Sequence, residues 1–176
     1  MNLKRVFALF ILSSFAASFI IFAQGQNRVD PVNWRKLAEY IPTKIPKWNK
    51  KGDLEGHTMS VGIKMSQVSQ RFTDGKRDLI VRVVDGGNEP AVYTGIRMAM
   101  QFEVDTSKEY IRKVEINGIP GVEQYNYTTK VAEMILLIAD RFMLYITGEN
   151  FKVKEATELK IIAKIFDLVG IGKLGK

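Results

Sequence analysis

The chain has 176 residues, 46% apolar, 26% charged and 10% aromatic, with no cysteine and one histidine. That composition excludes collagen-like, low-complexity and fully disordered chains. The missing cysteines exclude disulfide scaffolds, disulfide-linked oligomers, zinc ribbons, thiol nucleophiles and lipid-modified cysteine anchors.

The formal charge is +7, or +5 once Lys4 and Arg5 near the N-terminus are set aside. Mixed along the sequence, it calls for no nucleic-acid partner. Lys4 and Arg5 precede an uncharged apolar run over 6–23, and polar residues resume at Gln24-Gly25-Gln26-Asn27. This is the layout of a secretory signal peptide, whose positive end stays inside while the apolar stretch enters the translocon. Residues 1–24 are therefore expected to be a signal peptide, cut after Ala23 or Gln24. The rival is an uncleaved N-terminal anchor, because the run reaches the lower end of a membrane span. Either way the folded part is expected outside the cytoplasm, periplasmic or secreted. Residues 25–170 are expected to form a single domain and 171–176 a flexible tail.

The first expected element is a short helix, capped at Asp30-Pro31, with Trp34, Leu37, Ala38 and Ile41 at helical spacing. Met59, Val61, Ile63 and Met65 alternate with more polar residues and predict a half-buried strand, continued weakly by Val68 and Phe72. A turn at Thr73-Asp74-Gly75-Lys76 leads to a strand carrying Leu79, Val81 and Val83. Asp85-Gly86-Gly87-Asn88 ends it. Pro90 opens a helix through Phe102, with Val92, Ile96 and Ala99 on one face and Tyr93 and Met100 beside it. Strands follow at 110–116 and 121–128 around Asn117-Gly118, with the sequon Asn126-Tyr127-Thr128 inside the second.

Residues 131–139 are apolar apart from Glu133, as in a strand covered on both faces, so Leu136 and Leu137 are both expected to be buried. A turn at Asp140-Arg141 precedes the strand of Phe142, Leu144 and Ile146. A final helix over 154–169 places Leu159, Ile162, Phe166 and Val169 on one stripe, with Gly170 at C′. The expected fold is α+β: an antiparallel sheet of about six to seven strands with packed helices, in the order α-βββ-α-ββββ-α.

Chemistry is sparse. His57 is the only imidazole, and no mature serine lies in a G-x-S-x-G context. No dinucleotide or Walker fingerprint precedes a helix, so no cofactor is expected. Asp53, Glu55 and His57 alternate and would share one face of an extended segment, which makes them candidate metal ligands. The competing reading is a polar loop leading to Thr58, since Gly52 and Gly56 flank them. Glu103 and Glu123 have no context that lifts them above surface acids. The binding candidate is Lys44, Lys47, Trp48, Lys50 and Lys51, a lysine cluster around one tryptophan suited to anionic lipid or polysaccharide. The competing reading turns Trp48 into the core and leaves the lysines solvated. Tyr125, Tyr127, Met143 and Tyr145 could share a sheet face as a Tyr/Met surface, or serve as core beneath a helix.

The leader end at Phe22-Ala23-Gln24, the start marked by Leu37, Pro42, Pro46 and Trp48, and the strand-rich body resemble small exported bacterial proteins of unknown function. The helix–sheet order is similar in layout to PsbP/Mog1-like domains, which mostly act as accessory or binding proteins. Where such proteins carry Ile-Pro-Gly-Trp, this chain has Ile45-Pro46-Lys47-Trp48. The expectation is an exported, non-enzymatic binding domain of the cell envelope, its partner an envelope protein, anionic lipid or polysaccharide. The alternatives are a metal-dependent enzyme or hydrolase using His57 and nearby acids, and a carrier of an apolar ligand.

Overall fold

The computed structural model describes residues 29–60 and 63–175. The expected leader at 1–24 lies outside them. Among the described residues, no helix is long and apolar enough to cross a membrane.

The elements in chain order are α1 (Trp34–Ala38), β1 (Asn49–Met59), β2 (Met65–Thr73), β3 (Asp78–Asp85), α2 (Pro90–Ala99), β4 (Val104–Asp105), β5 (Glu109–Ile116), β6 (Ile119–Asn126), β7 (Val131–Ile138) and β8 (Phe142–Glu149). A 3-10 turn (Val153–Glu155), α3 (Glu158–Ala163) and α4 (Leu168–Lys173) follow. All strands join one antiparallel sheet of eight, in the order β1-β2-β3-β8-β7-β6-β5-β4. Two meanders therefore meet at β3 and β8, and α2 carries the chain from the middle of the sheet to its far edge.

The α+β class and the antiparallel sheet agree with the sequence, but the strand count and the element order differ. The expected strand over 58–65 is not one strand: Thr58 and Met59 end β1, Met65 opens β2 paired with Met59, and Met59 and Ile63 are exposed. The stretch 52–57, read as a loop, is the body of edge strand β1. Its register shifts between Lys51 and Glu55, where Gly52 takes φ 74°. Gly56 is required there, because a Cβ would lie 2.2 Å from the Trp34 ring packed on it. The cap of α1 is Asn33, whose side chain accepts from the Arg35 N–H (3.0 Å), not Asp30.

Hairpin chemistry fixes the register of the second meander. Asn117 and Gly118 both have positive φ, as a two-residue turn between right-twisted strands demands. The β7–β8 turn uses Ala139 and Asp140, both at positive φ, one residue before the expected pair.

The sheet is covered on both faces by unequal layers. On one side α1, α3 and α4 bury Leu37, Leu159, Ile162 and Ile171 against Val68, Val81, Met134, Leu136 and Leu144. On the other, α2 buries Tyr93 and Ile96 against Val84, Val122, Leu137 and Met143. Leu136 and Leu137 are both buried, on opposite faces, as the apolar run implied.

The single helix expected over 154–169 is broken. Lys164 ends α3, and Asp167 starts α4 by accepting from the Gly170 N–H (2.8 Å). Gly170 thus lies inside α4 and is not a C′ residue. The break turns Val169 outward (64% exposed) while Leu159, Ile162 and Phe166 stay buried. The stretch 171–175 packs on the domain instead of forming a tail: Ile171 is fully buried.

Candidate functional site

Trp48 follows a tight turn in which its N–H donates to the Ile45 carbonyl (3.0 Å) and Lys47 takes φ 69°. That turn drives the indole inward. Trp48 is 4% exposed, stacked on Phe151 at 5.9 Å with the planes 9° apart. The Arg77 guanidinium lies 5.0 Å from the Trp48 ring and 4.6 Å from that of Phe151. It donates to Glu158 Oε2 (2.7 Å), while the indole N–H donates to Glu158 Oε1 (3.3 Å). Asp74 holds the other side of Arg77 at 2.7 Å. Burial works against the Asp74 carboxylate, but bonds from the Arg77 and Lys76 N–H groups and the guanidinium outweigh it and lower its pKa.

The lysines of this candidate divide. Lys44 and Lys47 are exposed on the α1, α3 and α4 side, Lys50 is exposed on edge strand β1, and Lys51 pairs with Asp78 at 2.9 Å. The surface is therefore lysine without an available tryptophan ring.

Asp53, Glu55 and His57 lie on β1. Among the described residues no three His, Asp or Glu side chains come together to hold a metal ion. Glu123 pairs with Lys160 of α3 (2.9 Å), and Glu103 is exposed.

The Tyr/Met surface does not form, because the sheet separates its members. Tyr125 packs on the α1, α3 and α4 side, stacked on Tyr110 at 6.0 Å, and Tyr127 meets its ring edge at 5.3 Å. Met143 and Tyr145 belong to the α2 side. Asn126 ends β6, its Oδ1 accepting from the Thr128 and Thr129 N–H groups in a turn.

Two polar clusters escaped the sequence reading. Asp85 is fully buried at the end of β3, with Arg141 forked onto it (3.0 and 2.9 Å) and the Val32 and Gly87 N–H groups donating to it (2.7 Å each). Arg141 also donates to the Asp30 and Gly175 carbonyls, so one side chain ties both ends of the described chain to the sheet. A cleft of about 470 Å³ adjoins this knot beside α2. Its buried wall is already engaged: the Tyr93 hydroxyl accepts from the Gly86 N–H and donates to the Arg141 carbonyl.

The second cluster lies on the α2 side, where Gln124, Glu133 and Thr147 are neighbours across β6, β7 and β8. Thr147 donates to Glu133 Oε1 (3.1 Å), and Gln124 donates to Oε2. Burial outweighs these bonds and pushes the Glu133 carboxyl above its ordinary value. Burial, reinforced by Glu133, likewise raises the Tyr145 phenol. With both oxygens of Glu133 already accepting, the cluster ties three strands together. The sequence signal was the one acid in an apolar run.

The third feature is the outer surface of the helical layer. Leu159, Ile162 and Ala163 of α3 and Leu168 and Ile171 of α4 face the sheet. Helical geometry therefore turns Ile161 and Lys164, and then Val169 and Lys173, away from it, and Ile165 in the break between them is exposed too. Ile161 is 67% exposed, the highest among the large apolar side chains described. Residues 34–48 and 152–173, which form this layer, hold nine Lys and Arg against four acids. Elsewhere among residues 29–175 the balance is thirteen basic residues against fifteen acids. The positive charge of the domain is thus concentrated on one face. No family model, curated protein or solved structure matches the chain.

Proposed function

We propose that the protein is an exported, non-catalytic binding domain of the cell envelope that meets an anionic partner through the outer surface of α1, α3 and α4. The observation that carries this reading is the segregation of charge onto that one layer. Lys44, Lys47, Lys164 and Lys173 are all exposed on it, and none pairs with an acid among the described residues. Parallel positive charges on one face add into a field that attracts an anionic surface, whereas the same charges scattered would be screened singly.

Export is part of the proposal and rests on the sequence of residues 1–24. The accessory role takes its precedent from the similarity in helix–sheet order to PsbP/Mog1-like domains, an analogy at the level of fold.

Retention on anionic vesicles and on a sulfated polysaccharide tests the reading. Replacing Lys44, Lys47, Lys164 and Lys173 with Gln should abolish salt-sensitive retention on at least one of them. Replacing Arg97, Lys108, Lys113 and Lys130, which lie outside the segments of that layer, should not. Equal losses from the two sets would end the proposal, since the charge would then act without regard to its placement.

A further inference from the structure

The docking face just proposed leaves its occupant open between a lipid surface and a soluble polyanion, and the apolar side chains on it distinguish the two. We infer that the helical layer docks on an anionic lipid surface, with Ile161, Ile165 and Val169 entering the interface and Lys164 and Lys173 meeting the headgroups.

The inference rests on the proposed docking face but uses a separate observation. Ile161 and Val169 are 67% and 64% exposed, and Ile165 is 39% exposed. Each occupies the outward side of the layer, beside an exposed lysine. Aliphatic and lysine side chains thus alternate along the outer side of α3, the break and α4, the composition of a segment lying at a membrane surface, where the apolar groups leave water and the ammonium groups reach the phosphates. Tyr40, half-buried with its ring beside Gly170, adds an amphipathic side chain of the kind that settles at headgroup level. Asp167 is the one acid between Ile165 and Val169, and its carboxylate is turned onto the Gly170 N–H at 2.8 Å.

Other occupants fit less well. The indole and phenyl rings of the layer are engaged: Trp48 and Phe166 point into the core (4% and 5% exposed), and the partly buried Trp34 ring packs on Gly56 with the Arg35 guanidinium 4.7 Å from its centroid. Protein interfaces are enriched in Tyr, Trp and Arg and depleted in lysine, the reverse of the composition around Ile161.

The chain contains no cysteine, so a single introduced thiol can carry a polarity-sensitive dye. The full chain is labelled after Ile161→Cys, or after Ser107→Cys in the exposed β4–β5 connection as a control, so that the dye reports its own site whatever residues 6–23 do. Thermal midpoints of both variants should match the parent.

With phosphatidylglycerol-containing vesicles, the dye at 161 should shift to the blue and the dye at 107 should not. Neutral phosphatidylcholine vesicles should shift neither. Lys164→Gln combined with Lys173→Gln should weaken the response roughly tenfold. An equal response at both positions, or none at 161, would overturn the lipid assignment. If a sulfated polysaccharide still bound in a salt-sensitive way in that case, the docking face would stand with a different occupant. If neither anion bound, both readings would fall together.

Discussion

Trp48 is the residue on which the sequence offered two incompatible roles, and its neighbours decide between them. A ring enclosed by Phe151, Arg77 and Glu158 cannot be removed without leaving a cavity and a partly desolvated ion cluster. Trp48→Ala should lower the free energy of unfolding by about 3–5 kcal/mol in chemical denaturation. Lys44→Gln and Lys47→Gln should stay within about 0.5 kcal/mol, because both side chains are solvated. A neutral Trp48→Ala would contradict the enclosure.

Glu133 carries a different consequence. Its folded pKa is raised, chiefly by burial. Its contribution to stability is therefore full below the ordinary carboxylate value and is lost as pH rises through the folded value. Glu133→Gln removes that titration. The variant should show a flatter stability curve from pH 4 upward than the parent, measured by urea denaturation across pH. A parent curve with the same slope as the variant would remove Glu133 from the account.

At the level of elements, local chemistry was readable wherever it is self-sufficient. The Asn117-Gly118 turn needs only two residues that tolerate positive φ, and α2 needs only proline at its start and apolar residues at helical spacing. Strand β1 was missed because only Leu54 and Gly56 of this edge strand are not exposed, and one apolar residue beside a glycine makes no alternating pattern. Gly52 and Gly56, which suggested a loop, instead serve a register shift and the Trp34 ring. Alternation from Met59 to Met65 misled in the opposite direction, since a period of two does not say where a chain reverses: Met59 ends β1 and pairs with Met65 at the start of β2.

The C-terminal helix was read through the break at 164–167, which explains both the misplaced Val169 and the supposed tail. That correction can be checked. Ile171→Ala should cost about 2–5 kcal/mol, and removing 171–176 should cost at least as much, as expected for a fully buried side chain on α4. A shortened chain as stable as the parent would return these residues to the status of a tail.

Considered as a whole, the molecule has two cores separated by one sheet, and β7 contributes to both through Leu136 and Leu137. Leu136→Ala and Leu137→Ala should each cost about 2–5 kcal/mol, although they lie in different cores. Because the cores share strands, unfolding should be a single event. Tryptophan fluorescence, which reports the side holding Trp34 and Trp48, should follow the same denaturant curve as far-ultraviolet circular dichroism. Two separated transitions would mean that α2 and its core melt independently.

The sequence by itself determined the Asn117-Gly118 turn, the α2 helix, the antiparallel sheet class and the burial of β7 on both faces. Each is set by residues close together in the chain, through turn chemistry, spacing or an unbroken apolar run. Only the tertiary structure decided that Tyr125 and Tyr145 lie on opposite faces, that Asp85 and Arg141 meet across 56 positions, and that the lysines of 34–48 and 152–173 share one surface. Those outcomes depend on the crossover through α2, which sends the second meander to the far edge and brings β8 back beside β3. They also depend on the break before α4. Strand register and layer assignment are settled by packing between distant segments, and a one-residue change in either exchanges the face on which a side chain appears.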